Sequence, residues 1–261
     1  MLRTAWTTAA LGLALAACWR GPPLPPVSAI SPEARRIAEG ALFAEQGFDA
    51  LQAFELRGFE QPILFAVARK WKGAGVRVLS YVVEPEASKG TAFLLLREPG
   101  ERPELFSYLG GQLRQGNVAL RIAANSEISV AAEVVQPILA GDFRYQQLAD
   151  ETLEGQACSV IDAWPVQRLR GVTHLRLHVS RAHGMLVRKT YMRREHALRR
   201  VRYHRAKGAD VQGRRPTERW TIEAPGEAGF EIRLHNQLAD PELPDALFTP
   251  YQLEKGRFPR F

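Results

Sequence analysis

His174-Leu175-Arg176-Leu177-His178-Val179 alternates polar and apolar residues without a break. A strand turns successive side chains to opposite faces, so this spacing predicts Leu175, Leu177 and Val179 on one face. Phe230-Glu231-Ile232-Arg233-Leu234-His235 repeats the pattern, with Phe230, Ile232 and Leu234 together. Between them, Val187 with Tyr191, Val201 with Tyr203, and Trp220 with Ile222 extend the apolar set. The opposite positions carry Arg176, His178, Arg188, Arg200, Arg202, Arg219, Glu231 and Arg233. Residues 155–238 therefore read as an antiparallel meander with one apolar and one charged face. Two readings stay open: a sheet packed on its own core, and a curved sheet whose apolar face holds a lipid.

Strand patterns continue upstream, over residues 54–59, 63–71, 76–83 and 91–96, with turn material at 72–75 and 85–90. Residues 105–109 and 118–122 read as two more strands. Ser31-Pro32-Glu33 opens a helix, with an N-cap, a proline in the first turn and a carboxylate at the positive helix end. Ala34, Ile37, Ala38, Ala41, Leu42 and Ala44 make its apolar stripe, and Gly47 ends it. Such a helix suits the mouth of a curved sheet. Residues 131–135 suggest a short helix before Pro137, and 142–148 a loop or a second short helix. The fold expected over residues 31–261 is one mainly β domain. It is a curved antiparallel sheet, an open or half β-barrel, with a few helices covering the concave apolar face. A fully packed β-sandwich is the alternative from pattern alone.

Residues 1–17 read as a signal peptide, with Arg3 in the charged region and a core of small apolar residues. That core is shorter than the about 20 residues a spanning helix needs. Leu15-Ala16-Ala17-Cys18 has the pattern of a bacterial lipobox, in which the Cys18 sulfur takes the lipid and cleavage frees its amine. Ordinary secretion, with cleavage after Ala14-Leu15-Ala16, is the alternative. Residues 18–30 are the lipidated cysteine and a proline-rich tether. At about 3.1 Å per residue in polyproline geometry, the tether reaches roughly 35 Å from a membrane.

The chain has 261 residues, of which 46% are hydrophobic and 24% charged, an ordinary globular composition. Its formal charge is +7, compatible with nucleic acid, an anionic membrane or an acidic partner. Arg168-Leu169-Arg170, Arg193-Arg194, Arg199-Arg200 and Arg214-Arg215 lack interleaved aromatics, so they read as a solvated face, and no nucleic-acid partner is expected. Gly73-Ala74-Gly75 lacks the spacing of a phosphate loop, and no nucleophile elbow, His-Glu-x-x-His or Cys-x-x-Cys occurs. His174 and His178, four residues apart on a strand, stand about 13 Å apart, too far to share a metal. His183, His196 and His204 fall at turns or strand ends, where solvent is expected. Cys158 sits in Ala157-Cys158-Ser159-Val160-Ile161 and reads as a buried, inert thiol. No catalytic residue, metal or cofactor is expected, and the chain does not read as an enzyme.

Several runs, in this order and spacing, resemble the bacterial outer-membrane lipoprotein-sorting protein family, the LolA/LolB-like carriers and receptors. They are residues 172–179, the turn to Gly184, 186–191, 198–203, Gly213-Arg214-Arg215-Pro216-Thr217, and the closing 236–250 with Leu253-Glu254. Gly141-Asp142-Phe143-Arg144-Tyr145 and Lys89-Gly90-Thr91-Ala92-Phe93-Leu94 are weaker matches, and the resemblance covers most of residues 49–255. It implies a hydrophobic groove that receives acyl chains of lipoproteins or related lipids and passes them on. The groove lining expected from alternation is Leu175, Leu177, Val179, Val187, Tyr191, Val201, Tyr203, Trp220, Ile222, Phe230, Ile232 and Leu234. Implied partners are lipid or lipoprotein acyl chains, the membrane through the lipid anchor, and an envelope transporter or carrier. The implied location is the cell envelope, facing the periplasm, at the outer membrane. The tether points to a lipidated receptor at one membrane rather than a soluble shuttle. Fully enclosing one 16-carbon chain such as palmitate contributes roughly 12 kcal/mol, so a transfer protein needs a shallow groove under a displaceable helical lid. Gln146-Gln147, where the family often has acidic residues, and Leu109-Gly110-Gly111, without the usual proline, depart from the pattern. The alternative is an envelope sensor or regulator using the same groove, or a hydrolase, against which the missing catalytic constellation argues.

Overall fold

The computed structural model describes residues 31–98, 103–117, 127–166, 171–205, 217–226, 228–256 and 258. The signal peptide, the tether, the strand expected at 118–122 and the Gly213–Pro216 run lie outside these residues. In chain order the elements are α1 (Pro32–Gln46), β1 (Ala50–Arg57), β2 (Ile63–Lys72), β3 (Gly75–Glu84), β4 (Ala92–Arg97), β5 (Glu104–Leu109) and β6 (Gln112–Asn117). Then come α2 (Glu127–Val135), β7 (Phe143–Gln147), β8 (Glu151–Leu153), β9 (Gln156–Pro165), β10 (His174–Ser180) and β11 (Leu186–Arg193). β12 (His196–Arg205), β13 (Thr217–Glu223), β14 (Phe230–Ala239) and α3 (Pro250–Lys255) complete the chain.

All fourteen strands join one antiparallel sheet, in the order β6-β5-β4-β3-β2-β1-β14-β13-β12-β11-β10-β9-β7, with β8 also on β9. Two meanders are thus fused along a seam where the first strand meets the last. Phe54 faces Leu234 and Leu56 faces Ile232 across that seam. The terminal strands β6 and β7 do not pair, so the sheet is open rather than a barrel.

One face carries the main core and is covered by α1 and α2. α1 begins as its sequence demands: Ser31 Oγ accepts from the Ala34 amide at 3.1 Å, with Pro32 in the first turn. Ala34, Ala38 and Ala41 are its fully buried residues, and such small side chains let the helix lie close to β7, β10 and β11. The other face of β1–β4 is covered as well. Leu243, Leu247, Phe248 and Leu253 from the closing segment bury Leu51, Ala66, Ala68, Leu79, Ala92 and Leu94, and Phe258 stacks on Tyr81 at 4.4 Å. β2 and β3 therefore read as nearly continuous apolar runs, as strands buried on both faces do.

Several sequence expectations change here. Residues 143–147, expected as loop or helix, form a strand: Phe143 and Tyr145 alternate inward on edge strand β7, a pattern too short for periodicity to reveal. β6, polar and exposed, was missed because Leu113 alone is apolar in it and no alternation marks it. The charged face is not uniformly solvated either. His174 stacks on Trp164 at 4.6 Å, and Arg176 Nε donates to Asp162 at 2.8 Å. His178 is fully buried, its Nε2 lying 3.1 Å from Glu151 Oε2 and 2.8 Å from Arg188 Nη2. His183 and His196 are exposed, whereas His204 is half-buried against Thr221. Cys158 is buried between β8 and β10.

Burial, reinforced by the Arg188 guanidinium, holds the His178 pKa below its ordinary value. Above the unfolded-state value of about 6.5, both states carry a neutral imidazole and the group leaves stability unchanged. As pH falls through that value, the unfolded chain takes up a proton that the folded one resists, and stability drops. Replacing His178 with Gln is expected to flatten the fall in urea-melt stability between about pH 7 and 5; an unchanged slope would refute the assignment.

Candidate functional site

Strand register assembles the inner face. Leu175 faces Tyr191, which faces Arg199. Leu177, Lys189, Val201, Ile222 and Phe230 form the next row across five strands. Tyr203, Trp220, Ile232 and Leu56 form a third, and Trp220 meets Phe54 edge-on at 5.7 Å. Of the twelve lining residues expected from alternation, eleven belong to this surface. Nine of those, among them Val179, are buried, and Tyr203 and Leu234 are partly buried against them. Val187 is the exception. A β-bulge lets β11 spend two residues, Leu186 and Val187, opposite Val179, so Leu186 enters the core and Val187 is left half-buried outside it.

The same face holds charges, one of which, Arg199, the sequence reading had placed in solvent. Lys189 and Arg199 point inward and are both buried. They meet Glu133 of α2, with Lys189 Nζ at 2.6 Å and Arg199 Nη1 at 3.5 Å from its carboxylate. Burial alone would push the Lys189 ammonium down, but Glu133 beside it lifts its pKa to about 12. Burial drives the Tyr191 and Tyr203 hydroxyls upward, so both stay neutral. At the rim, Arg205 of β12 pairs with Glu45 of α1, to which Thr217 Oγ1 donates at 2.8 Å.

The last turn of α2 is held from the sheet and from α1. Arg69 Nη2 on β2 donates to the Val134 carbonyl at 2.8 Å, and Gln46 Nε2 donates to the Glu133 carbonyl at 3.2 Å. These are end carbonyls that a helix cannot satisfy internally, and a cation there also meets the negative end of the helix dipole. Arg69 is 1% exposed, and burial lowers its pKa to about 10, which leaves it charged at neutral pH. Among the described residues, its Nε and Nη1 find no hydrogen-bond partner.

Helices and sheet close on each other, leaving a partly open pocket of about 20 Å3 bordered by Leu42, Arg69, Val134, Lys189, Tyr203 and Trp220. That is room for about one water. Two larger clefts flank the β10–β11 turn. One of about 440 Å3 lies beside α1, at Ile37, Gln147, Val179 and Arg181. The other, of about 340 Å3, reaches Met185, Leu186, Tyr203 and Arg205. Leu186 and Tyr203 also border the pocket under the helices, so this second cleft adjoins that space. Among the described residues, no helix is long and apolar enough to cross a membrane, and no three His, Cys, Asp or Glu side chains gather as metal ligands.

An open, helix-covered sheet of this kind is the fold of the lipoprotein-sorting proteins. It superposes on a domain from Vibrio parahaemolyticus assigned to outer membrane lipoprotein sorting, with TM-score 0.73 and 17% identity, over 85% of this chain and 98% of that one. A DUF1329 family protein from Desulfovibrio piger aligns with TM-score 0.71 and 16% identity, over 85% of this chain and 98% of that one. A LolA superfamily protein from Nitrosomonas europaea gives TM-score 0.65 and 16% identity, over 83% and 97%. In sequence, the chain belongs to the family described as "-like: Uncharacterized protein", whose model matches residues 75–255. No curated protein matches it.

Lys189, Arg199, Arg69 and Glu133 were missed as parts of the site. The signal for two of them was present: Arg199 shares parity with Val201 and Tyr203, and Lys189 with Tyr191. The inner row is closed, so Ile232→Asp, at a position with no exposure, buries an uncompensated carboxylate and should cost several kcal/mol in a denaturant melt. Arg233→Asp, one residue along on the exposed face, should change stability by less than about 1 kcal/mol. Equal melting midpoints for the two variants would show that the inner row is not a packed core.

Proposed function

We propose that the protein is a cell-envelope lipoprotein that binds acyl chains between its helices and its sheet. In this reading it serves lipoprotein or lipid sorting, or transfer to the outer membrane, by binding and release rather than catalysis. The observation that carries the reading is the apolar inner face, whose three strand rows run from Leu175 to Leu56 and are interrupted by charge at Lys189 and Arg199. It lies beneath helices that, among the described residues, bury mainly alanines and valines. Seating a chain there requires α1 and α2 to move, because the closed form has room for about one water. The apolar row would then receive the methylenes, and the cleft at Leu186 and Tyr203 would be the way in.

Trp220 stands in that row and is its natural reporter. A bromine-labelled stearoyl chain added to the purified protein should quench Trp220 fluorescence, and Trp220→Phe should remove that part of the quenching. Quenching that survives the substitution intact would place the chain elsewhere.

Lipidation at Cys18 would hold the domain at one membrane, facing the periplasm, within reach of a lipid or lipoprotein donor such as an envelope carrier or transporter. Two or more acyl chains give stable anchoring where one gives only marginal binding. Cys18→Ser should therefore release the protein from the membrane fraction or leave uncleaved precursor. A variant that fractionates and migrates like the parent would exclude the anchor.

A further inference from the structure

We infer that the acyl ligand carries an anionic head, a carboxylate or a phosphate, and that Glu45 and Glu133 occupy its place while the helices are closed. The inference rests on the acyl-binding reading and adds the chemical class of the ligand. It comes from the way charge is divided between sheet and helices. Arg69, Lys189, Arg199 and Arg205 all belong to strands β2, β11 and β12, whereas Glu45 and Glu133 belong to α1 and α2. Among the described residues of this interior, four cations face two carboxylates, and the tyrosines beside them stay neutral. Arg69 shows the excess directly: buried at the edge of the pocket, it spends one nitrogen on the Val134 carbonyl and has two without partners among the described residues.

Movement of the helices would therefore separate the charges. Both carboxylates would leave with α1 and α2, while Arg69, Lys189 and Arg199 would remain on the apolar floor and Arg205 at its rim. A ligand seated there shields these cations from water in turn. A neutral amphiphile would leave them buried without a counter-charge, which is strongly unfavourable. An anionic head supplies what the helices withdrew, through charge-assisted hydrogen bonds to Lys189 and to the guanidinium groups. Fatty acids and anionic phospholipids share this chemistry. The lid carboxylates would then compete with the ligand head for the same cations.

cis-Parinaric acid and its methyl ester have the same chain and differ in charge, so their fluorescence titrations against the full, delipidated chain isolate the head. The acid should bind about ten-fold more tightly than the ester, the gain expected of one charge-assisted contact. Glu133→Gln, which removes a competing carboxylate, should widen that ratio. Lys189→Met added to Glu133→Gln removes the cation nearest that carboxylate and should narrow the ratio relative to Glu133→Gln alone. Displacement of the bound acid by palmitate but not by lysophosphatidylglycerol would assign a carboxylate head; the opposite order would assign a phosphate head. Acid and ester bound equally well would overturn the inference while leaving acyl binding intact. So would a preference that neither substitution alters. Binding of neither probe would overturn the acyl-binding reading and the inference together. If the double variant fails to fold, the acid-to-ester ratio of the parent still decides.

Discussion

The carboxylate of Glu133 is the group on which the arrangement of helix over sheet depends. Taking an ion out of water costs several kcal/mol, so α2 can rest on the sheet only where cations already wait. Lys189 and Arg199 wait there because β11 and β12 pair in the register that opposes Lys189 to Val201 and Arg199 to Tyr191. A slip of one residue would turn both cations outward and the arginines of the outer face inward. The bulges next to Val179 and Tyr191 belong to the same constraint, since each resets which residues face the helices. Buried charge therefore specifies both the strand register and the seat of the helix, although as a source of net stability it is weak.

The rest of the sheet answers a different demand. The strands joining at the β1–β14 seam need a firm base if the inner face is to be uncovered and covered again. The closing segment provides it by covering the outer face of β1–β4, where Leu253 is fully buried and Gly256, at φ 62°, ends α3 in the left-handed region that glycine tolerates. Over β10–β14 no second layer is needed. There the outer face is made of arginines paired with carboxylates, as in Arg202 with Glu154 and Arg219 with Glu231. One half of the sheet is a two-sided core, and the other is a wall with one apolar side.

Much of this was legible in the sequence for a simple reason. Strict alternation at residues 174–179 and 230–235 has one structural solution, and the N-cap, proline and small-residue stripe of α1 have another. Legibility stopped where parity was broken or overruled. Val187 has the spacing of an inward residue, but the bulge passes that place to Leu186. Arg199 has the spacing of an inward residue too, yet its charge argued for solvent. The distant Glu133 helps to make its burial tolerable, and no local pattern reveals a partner 66 positions away. His178 was misplaced for the same reason: Glu151, on a strand of three residues, covers it. The helix at residues 131–135 was readable, but not that its carboxylate would face the sheet.

A lid held mainly by charges suits exchange better than one held by apolar packing. On the core side of α2, Val130 and Val134 are fully buried, and Ala131 and Val135 are only partly so. Burying a valine side chain is worth about 1.5–3 kcal/mol, so these described side chains give the helix a few kcal/mol of apolar seating. An acyl chain laid over the same surface gains about 0.8 kcal/mol for each methylene it buries, and half a 16-carbon chain already exceeds that seating. The polar contacts of α2 oppose the exchange little, because its freed carbonyls and carboxylate regain water as the helix lifts. The cations on the sheet are another matter, since an incoming chain would dry them again. Apolar burial can therefore favour displacing the helix, whereas the charge left on the floor selects what replaces it.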